Sequence, residues 1–252
     1  MAIDAVSPTR RLVLGLLILL VLAPAVAGGS RAAEPLKVAV IEAPPFGMPG
    51  PDGKPTGAAV DMAVALGQRS GIAMEAILMP RARIQDAMAD AQVDLAGMVG
   101  SPAADAIGHR LAPMQPLFTV VLSRPDAAVA DVRGLEGKTL ATLRSANYDP
   151  RLADNAAIRK QEVSSYANAI NLLMAGRVDA VVGPDMGLYF EASKMGLPRA
   201  SFAPPLVMNR LEVWLYLSKA SAAATLLEPL KKAAEALVAE GFVESSMKAY
   251  VR

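Results

Sequence analysis

The side chains able to do chemistry are few, and their types exclude more than they allow. His109 is the single histidine and there is no cysteine. That removes a thiol nucleophile, a disulfide framework, a cysteine-zinc site and an N-terminal cysteine for lipidation. One imidazole leaves little room for Ser-His-Asp chemistry or a multi-histidine metal site, and the carboxylates do not cluster as metal ligands do. No acid and base stand paired at a recognisable spacing. Gly134-Leu-Glu-Gly-Lys-Thr139 has two residues between its glycines, where a phosphate-binding loop needs four, and reads as a turn into a strand. With 25 Lys and Arg against 24 Asp and Glu, there is no electrostatic case for nucleic acid or an anionic membrane surface.

The elements that must position any site follow from periodicity. At 252 residues, 53% apolar and 19% charged, the chain can bury a real core, as one large domain or two small lobes. Its N-terminus is a separate object: Arg10 and Arg11, an apolar run over residues 12–22, Pro24 and Ala25-Val26-Ala27. A basic n-region, a short h-region and an A-x-A site describe a secretory signal peptide over residues 1–27, cleaved after Ala27, with a second possible site after Ala32. The apolar run is far short of the roughly 20 residues that span a bilayer. The paired arginines also look loosely like a twin-arginine export signal. The expectation is an exported, periplasmic protein.

Beyond the signal, strands alternate with helices. Leu36–Ile41 is a β-branched run that stops at Pro44-Pro45, which have no amide hydrogens to extend a ladder. Residues 47–57, rich in Gly, Pro and Asp, read as a surface loop. Residues 60–70 have helical spacing, 72–79 read as a strand, Ile84, Ala87 and Met88 recur at helical intervals, and Val93-Asp-Leu-Ala96 opens another strand. This order predicts a parallel sheet covered by helices. A second half repeats it with a strand at 139–142, a short helix at 151–158, a strand near 161–164, a helix at 166–175 and a strand at 178–182. Met88-Ala-Asp-Ala-Gln-Val-Asp94-Leu and Met174-Ala-Gly-Arg-Val-Asp179-Ala-Val share one phrase: a helix end, a tight turn and a strand opening on Val-Asp. The predicted organisation is lobe 1 over 28–118, a hinge crossing over 119–123, lobe 2 over 124–205, a return crossing over 206–218, and amphipathic helices over 219–252 that finish lobe 1.

Several segments, taken in order, carry a resemblance: Ala43-Pro-Pro-Phe46, Gly53-Lys-Pro-Thr-Gly57 with Val60-Asp61, Val93-Asp-Leu-Ala-Gly97-Met, Leu135-Glu-Gly-Lys138 and Ala175-Gly-Arg-Val-Asp-Ala-Val-Val182. With them the chain resembles a type II periplasmic solute-binding protein, of the bacterial extracellular solute-binding family 3 that serves amino-acid-type ABC importers. The similarity runs over about residues 35–245. It implies an α/β fold of two lobes, each a mainly parallel sheet flanked by helices, joined by two hinge strands and closing on a ligand at the carboxyl ends of the strands. It further implies a monomeric receptor, not an enzyme and without a cofactor, that takes a small polar or anionic solute in an interlobe cleft and delivers it to the membrane permease of an ABC importer. The alternative is a periplasmic sensor or accessory protein for a membrane receptor or redox enzyme. A lyase built on the same fold would draw on Glu42, the carboxylate beside the Pro-Pro turn.

The same resemblance places the ligand. Phe46 would form an apolar wall, or is an ordinary core aromatic. Gly97, Met98 and Ser101 would offer backbone amides and a hydroxyl to a carboxylate, or form a plain glycine-rich turn. In lobe 2, Ser145, Asn147 and Tyr148 occupy the loop that meets the ligand's anionic end, where Ser145 and Asn147 donate hydrogen bonds or cap the following helix. Asp185 stands about one position from the residue that binds an ammonium group in relatives; Asp179 is read as structural. Relatives that bind α-amino acids carry a clamping arginine where this chain has Pro102-Ala-Ala104, and a guanidinium–carboxylate pair is a strong contact to lose. His109 and Arg110 follow at the wrong spacing and are read as surface residues. Arg81 is assigned the cation for an anionic solute, or is a solvated first-turn arginine, while Arg83 faces outward or toward the hinge. The methionines read as core filler, with Met48 and Met98 placed to touch the ligand.

Overall fold

The computed structural model describes residues 34–144, 146 and 148–251; the expected signal peptide, Ser145 and Asn147 lie outside the described residues. In chain order the elements are β1 (Leu36–Ile41), a short hairpin of β2 (Met48–Pro49) and β3 (Pro55–Thr56), α1 (Ala58–Ser70), β4 (Met74–Met79), α2 (Arg81–Ala89), β5 (Leu95–Val99), α3 (Pro102–Ile107) and β6 (Gly108–Pro113). Next come β7 (Leu117–Ser123), β8 (Thr139–Leu143), α4 (Pro150–Ala153), β9 (Arg159–Val163), α5 (Tyr166–Met174), β10 (Ala180–Pro184), α6 (Asp185–Lys194) and β11 (Leu206–Leu211). The chain ends with β12 (Val213–Ser218), α7 (Leu227–Ala239) and α8 (Phe242–Tyr250).

The strands form two five-stranded sheets, β4-β1-β5-β12-β6 and β11-β7-β10-β8-β9. In the first, β4, β1, β5 and β6 run one way and β12 runs against its neighbours. In the second, β11, β10, β8 and β9 run one way and β7 runs against them. Each reversed strand is the first one after the chain changes sheet. The chain passes at residues 114–116, between β6 and β7, and at Glu212, between β11 and β12. These points lie just ahead of 119–123 and inside 206–218. Both passages are too short to travel along a sheet, so each joins the carboxyl edge of one sheet to the carboxyl edge of the other.

Both faces of each sheet are covered at its centre, which is why the central strands β5, β7, β10 and β12 read as continuous apolar runs. In the first sheet, Val38, Val40, Leu95 and Leu215 pack against Met62 and Leu66 of α1 and Leu230 and Leu237 of α7. Ala39, Ala96 and Tyr216 alternate to the opposite face, against Ile84 and Met88 of α2. In the second, Val120, Leu122 and Val181 meet Ile170, Leu173 and Leu188 on one face. Val121, Val182 and Leu140 meet Leu135 and Leu152 on the other. The C-terminal helices pack on the first sheet's core, as α7 and Phe242 of α8 show, while Val251 lies against the second.

The shared Val-Asp phrase has a physical meaning. Asp94 accepts from the Lys37 amide at 2.7 Å while its own amide donates to the Lys37 carbonyl at 2.8 Å. Asp179 does the same to Thr139, at 2.7 and 2.9 Å. In each sheet a carboxylate ahead of one strand ties down the opening amide of its parallel neighbour. Asp94 also accepts from the Ser221 hydroxyl, joining the C-terminal segment to the first sheet.

Besides the short β2–β3 hairpin inside the expected loop 47–57, two strands and two helices went unread in the sequence. β6 and β11 are poor in β-branched residues and owe their extended form to pairing with β12 and β7. α3 and α6 each follow directly on a strand end and carry little amphipathic pattern. The helix expected over 151–158 is the single turn α4, begun by the Asp149 side chain accepting from the Arg151 amide and ended at Asp154.

Asp94→Ala and Asp179→Ala are each expected to lower the unfolding free energy by about 1–3 kcal/mol, because a charged acceptor is removed from a strand-opening amide. Urea denaturation measures this, with Glu75→Ala on the exposed edge of β4 as the unaffected control.

Candidate functional site

Because both passages tie carboxyl edge to carboxyl edge, the loops after β1, β4 and β5 face those after β8 and β10. Free backbone amides and loop side chains collect at such edges. The sequence-derived residues fall there: Phe46 after β1, Arg81 after β4, Gly97, Met98 and Ser101 at the end of β5, Tyr148 after β8 and Asp185 after β10.

On the first sheet's side, Pro44-Pro45 is a cis peptide and the turn it belongs to is spent on structure. The Pro45 and Phe46 carbonyls accept from the Ala58 and Ala59 amides, both at 3.0 Å, so the start of α1 already has its partners. Phe46 is half-buried in a cluster with Ala58, Met186, Met247 and Tyr250 that joins α1, α6 and α8. Ser101 caps α3, its hydroxyl oxygen accepting from the Ala104 amide at 3.2 Å; the hydroxyl hydrogen stays available to donate. Met98 is half-buried beside Trp214, its neighbour across the β5–β12 pair. Arg81 is exposed on the first turn of α2 and has no acidic partner among the described residues.

Arg110 does more than its sequence reading as a surface residue suggests. Its Nε and Nη2 both donate to the Asp105 carboxylate at 2.7 Å, and the guanidinium lies over the Trp214 ring, 4.9 Å from its centroid. Tyr216 donates its hydroxyl to the same carboxylate at 2.8 Å. The hydrogen bonds from Arg110 and Tyr216 hold the Asp105 carboxyl below the ordinary carboxylate value. This cation stands beside the turn after β5 but is already committed to Asp105.

On the second sheet's side, the Tyr148 and Tyr166 hydroxyls are 2.7 Å apart. Burial pushes both above the ordinary phenol value, so both are neutral, and one donates to the other while the second keeps a hydrogen to give. Tyr166 was not found in the sequence. Its ring lies on Gly183, where a Cβ would sit 2.7 Å from Cε1, and near Gly187. Gly183 and Gly187, four apart around a strand-to-helix turn, are the one sequence signal that could have pointed to a bulky ring above them. Beside Tyr148, a cavity of about 200 Å³ is lined by Leu140, Thr142, Leu152, Lys160, Glu162 and Val182. Asp185 is half-buried at the start of α6 and accepts from the Phe118 amide at 3.4 Å. Burial raises its carboxyl above the ordinary value, opposed by the Met186 and Phe118 amides and by Arg199. Its structural partner is thus the strand that enters the second sheet.

Gly97 differs from the other glycines of the site. It is exposed, in a strand, and a Cβ added to it would meet nothing nearer than Val213 Cγ1 at 4.0 Å. Gly183 is required by a ring; Gly97 is not required by any packing among the described residues.

Residues 36–251 match the family model of the bacterial extracellular solute-binding proteins, family 3. Nothing among curated proteins matches the chain. Among solved structures, an ancestral cationic amino acid solute-binding protein superposes with a TM-score of 0.69 at 16% identity, covering 86% of this chain and 95% of that one. An ancestral arginine-binding protein bound to arginine gives 0.63 at 20% identity, over 88% and 100% of the two chains. A histidine kinase sensor domain similar to periplasmic binding proteins gives 0.63 at 19% identity, over 87% and 97%. At these identities the structural likeness establishes the two-lobed α/β fold.

The raised carboxyl of Asp185 gives a pH prediction. A group whose value is raised on folding adds stability only below its unfolded value of about 4, and that contribution is lost as pH rises through the folded value. Asp185→Asn keeps an oxygen for the Phe118 amide and does not ionise. It is expected to melt higher than wild type at pH 7, with the gap closing toward pH 4, in thermal melts across that range.

Proposed function

Since the chain belongs to the bacterial extracellular solute-binding proteins of family 3, we propose that it is a periplasmic receptor that captures a small polar or anionic solute of about amino-acid size between its two sheets and delivers it to the permease of an ABC importer. Proteins of this family bind solutes and generally do not transform them. Among the described residues no helix is long and apolar enough to cross a membrane.

The observation that carries the reading is Gly97. A strand-interior glycine weakens the strand and, where nothing in the fold needs it, marks a place where another molecule approaches the backbone closely. Gly97 lies two residues from the carboxyl end of β5, the central strand of the first sheet, and pairs with Leu215 of β12, the strand that follows the second passage. Around it, the proposed contacts are the Ser101 hydroxyl, Met98, and the Tyr148 hydroxyl paired with Tyr166. Ser145 and Asn147, outside the described residues, stay in the proposal as the contacts their sequence position suggests. Phe46 and Asp185 border the site from their packed positions. With Arg110 held by Asp105, Arg81 is the cation proposed for an anionic end.

A sensory role is the second reading, favoured by the histidine kinase sensor domain among the structural neighbours. It uses the same site and differs in the partner that receives the closed form.

Thermal melts against amino acids, organic acids, polyols and opines test the binding reading. One chemical class is expected to raise Tm by about 5–10 °C at a hundred times its Kd, the stabilisation expected from mass action on a domain of this size. No shift by any class would remove the receptor reading. In isothermal titration with the compound that gives the largest shift, Arg81→Ala is expected to weaken an anion about tenfold; an unchanged affinity takes Arg81 out of the site.

A further inference from the structure

Below Gly97 the core of the first sheet is incomplete. Side chains alternate along a strand, so Leu95 and Gly97 point to the same face, the one covered by α1. Leu95 is fully buried there among Val38, Val40 and Leu66. At Gly97 the row of side chains has a gap, and a cavity of about 50 Å³ lies there, walled by Val38, Val40, Met62, Ala63, Met114 and Leu215. No polar side chain lines it. By the room one water needs, it holds about four atoms of carbon size.

The hole is not forced by a clash, since a methyl at Gly97 would sit 4.0 Å from its nearest neighbour. A glycine inside a strand and an unfilled apolar void both lower stability, and one methyl would relieve both. Gly97 lines the hole and is exposed two residues from the carboxyl end of β5, so the hole adjoins the surface on the side of the second sheet. Met114, on its wall, lies in the first passage between sheets, next to the part of the chain that moves if the lobes rotate, and its flexible side chain adapts to what enters.

We propose that this hole is an apolar subsite of the cleft, entered over Gly97, that takes a branched aliphatic arm of three or four carbons on the solute. It rests on the receptor reading and narrows it: the solute is a small amphiphile, its polar end toward Ser101 and the tyrosine pair, its aliphatic arm in the first lobe.

Two measurements test this, one without any solute. Xenon enters dry apolar cavities, so xenon pressure is expected to shift the methyl NMR signals of Met62 and Met114 in wild type. Ala63→Leu, which fills the hole from α1 without altering the cleft surface, is expected to abolish that shift, with Ala63→Val serving if the leucine variant does not fold. Gly97→Ala is expected to raise the Tm of the solute-free protein by about 2 °C. Absence of the xenon shift, or a lowered Tm for Gly97→Ala, overturns the subsite. Thermal melts then compare pairs that share a polar end: L-leucine with glycine, and isovalerate with acetate. The longer-armed member of one pair is expected to stabilise wild type more, and Ala63→Leu to cancel the difference. Stabilisation by glycine or acetate alone, or a difference that survives in Ala63→Leu, overturns the subsite and leaves the receptor reading standing. No stabilisation by any of the four, together with none across the wider panel, overturns both.

Discussion

The arrangement of the molecule depends on the shortness of its two passages between sheets. From Pro113 to Leu117 an extended chain reaches roughly 14 Å, and from Leu211 to Val213 roughly 7 Å. Neither can run the length of a sheet. Each must therefore join edges that already face each other, and each must reverse the strand that follows it. This single constraint turns the carboxyl edges of both sheets inward, and with them every loop that carries a candidate ligand contact. It also makes the passages the natural axis for a hinge rotation, since little besides the backbone joins the lobes there.

A noncovalent connection accompanies the two covalent ones. Phe46, Met186, Met247 and Tyr250 form one apolar cluster drawn from the first lobe's leading loop, the second lobe's helix α6 and the C-terminal helix. Val251 continues onto the second sheet's core. The end of the chain is thus part of the joint between lobes as well as a cover for the first. Gly187 sits under the same joint, with Pro44 O 4.0 Å from where its Cβ would be.

The charge arrangement bears on what is bound. A guanidinium stands beside the turn after β5, but Asp105 takes two of its nitrogens and Trp214 takes its face. In the second lobe the polar contacts are neutral hydroxyls rather than carboxylates, and Asp185 is turned to a backbone amide. In the site proposed above, recognition rests on neutral donors, shape and one solvated arginine, with the proposed Gly97 subsite supplying an apolar contact. That pattern departs from a zwitterion held between opposite charges.

The sequence by itself determined the alternation of strands and helices, the repeated Val-Asp phrase, the pairing of two similar halves and the family. Each of these is written in local periodicity or in short motifs, where a residue's neighbours along the chain carry the signal. It also identified Gly97 and Ser101 as a turn worth attention and Asp179 as structural, because glycine at a strand end and aspartate before a strand have local reasons. Only the tertiary structure decided the rest. β6 and β11 are strands because distant partners bond them, which their own residues do not announce. Arg110 is committed because Asp105 and Trp214 reach it through a helix turn and a strand 104 positions later in the chain. Tyr166 became visible only when Gly183 and Gly187 were seen beneath its ring, and Gly97 was distinguished from them only when the space around each could be compared. A glycine's letter is the same whether the fold or a ligand needs the room; what fills that room is a property of three dimensions.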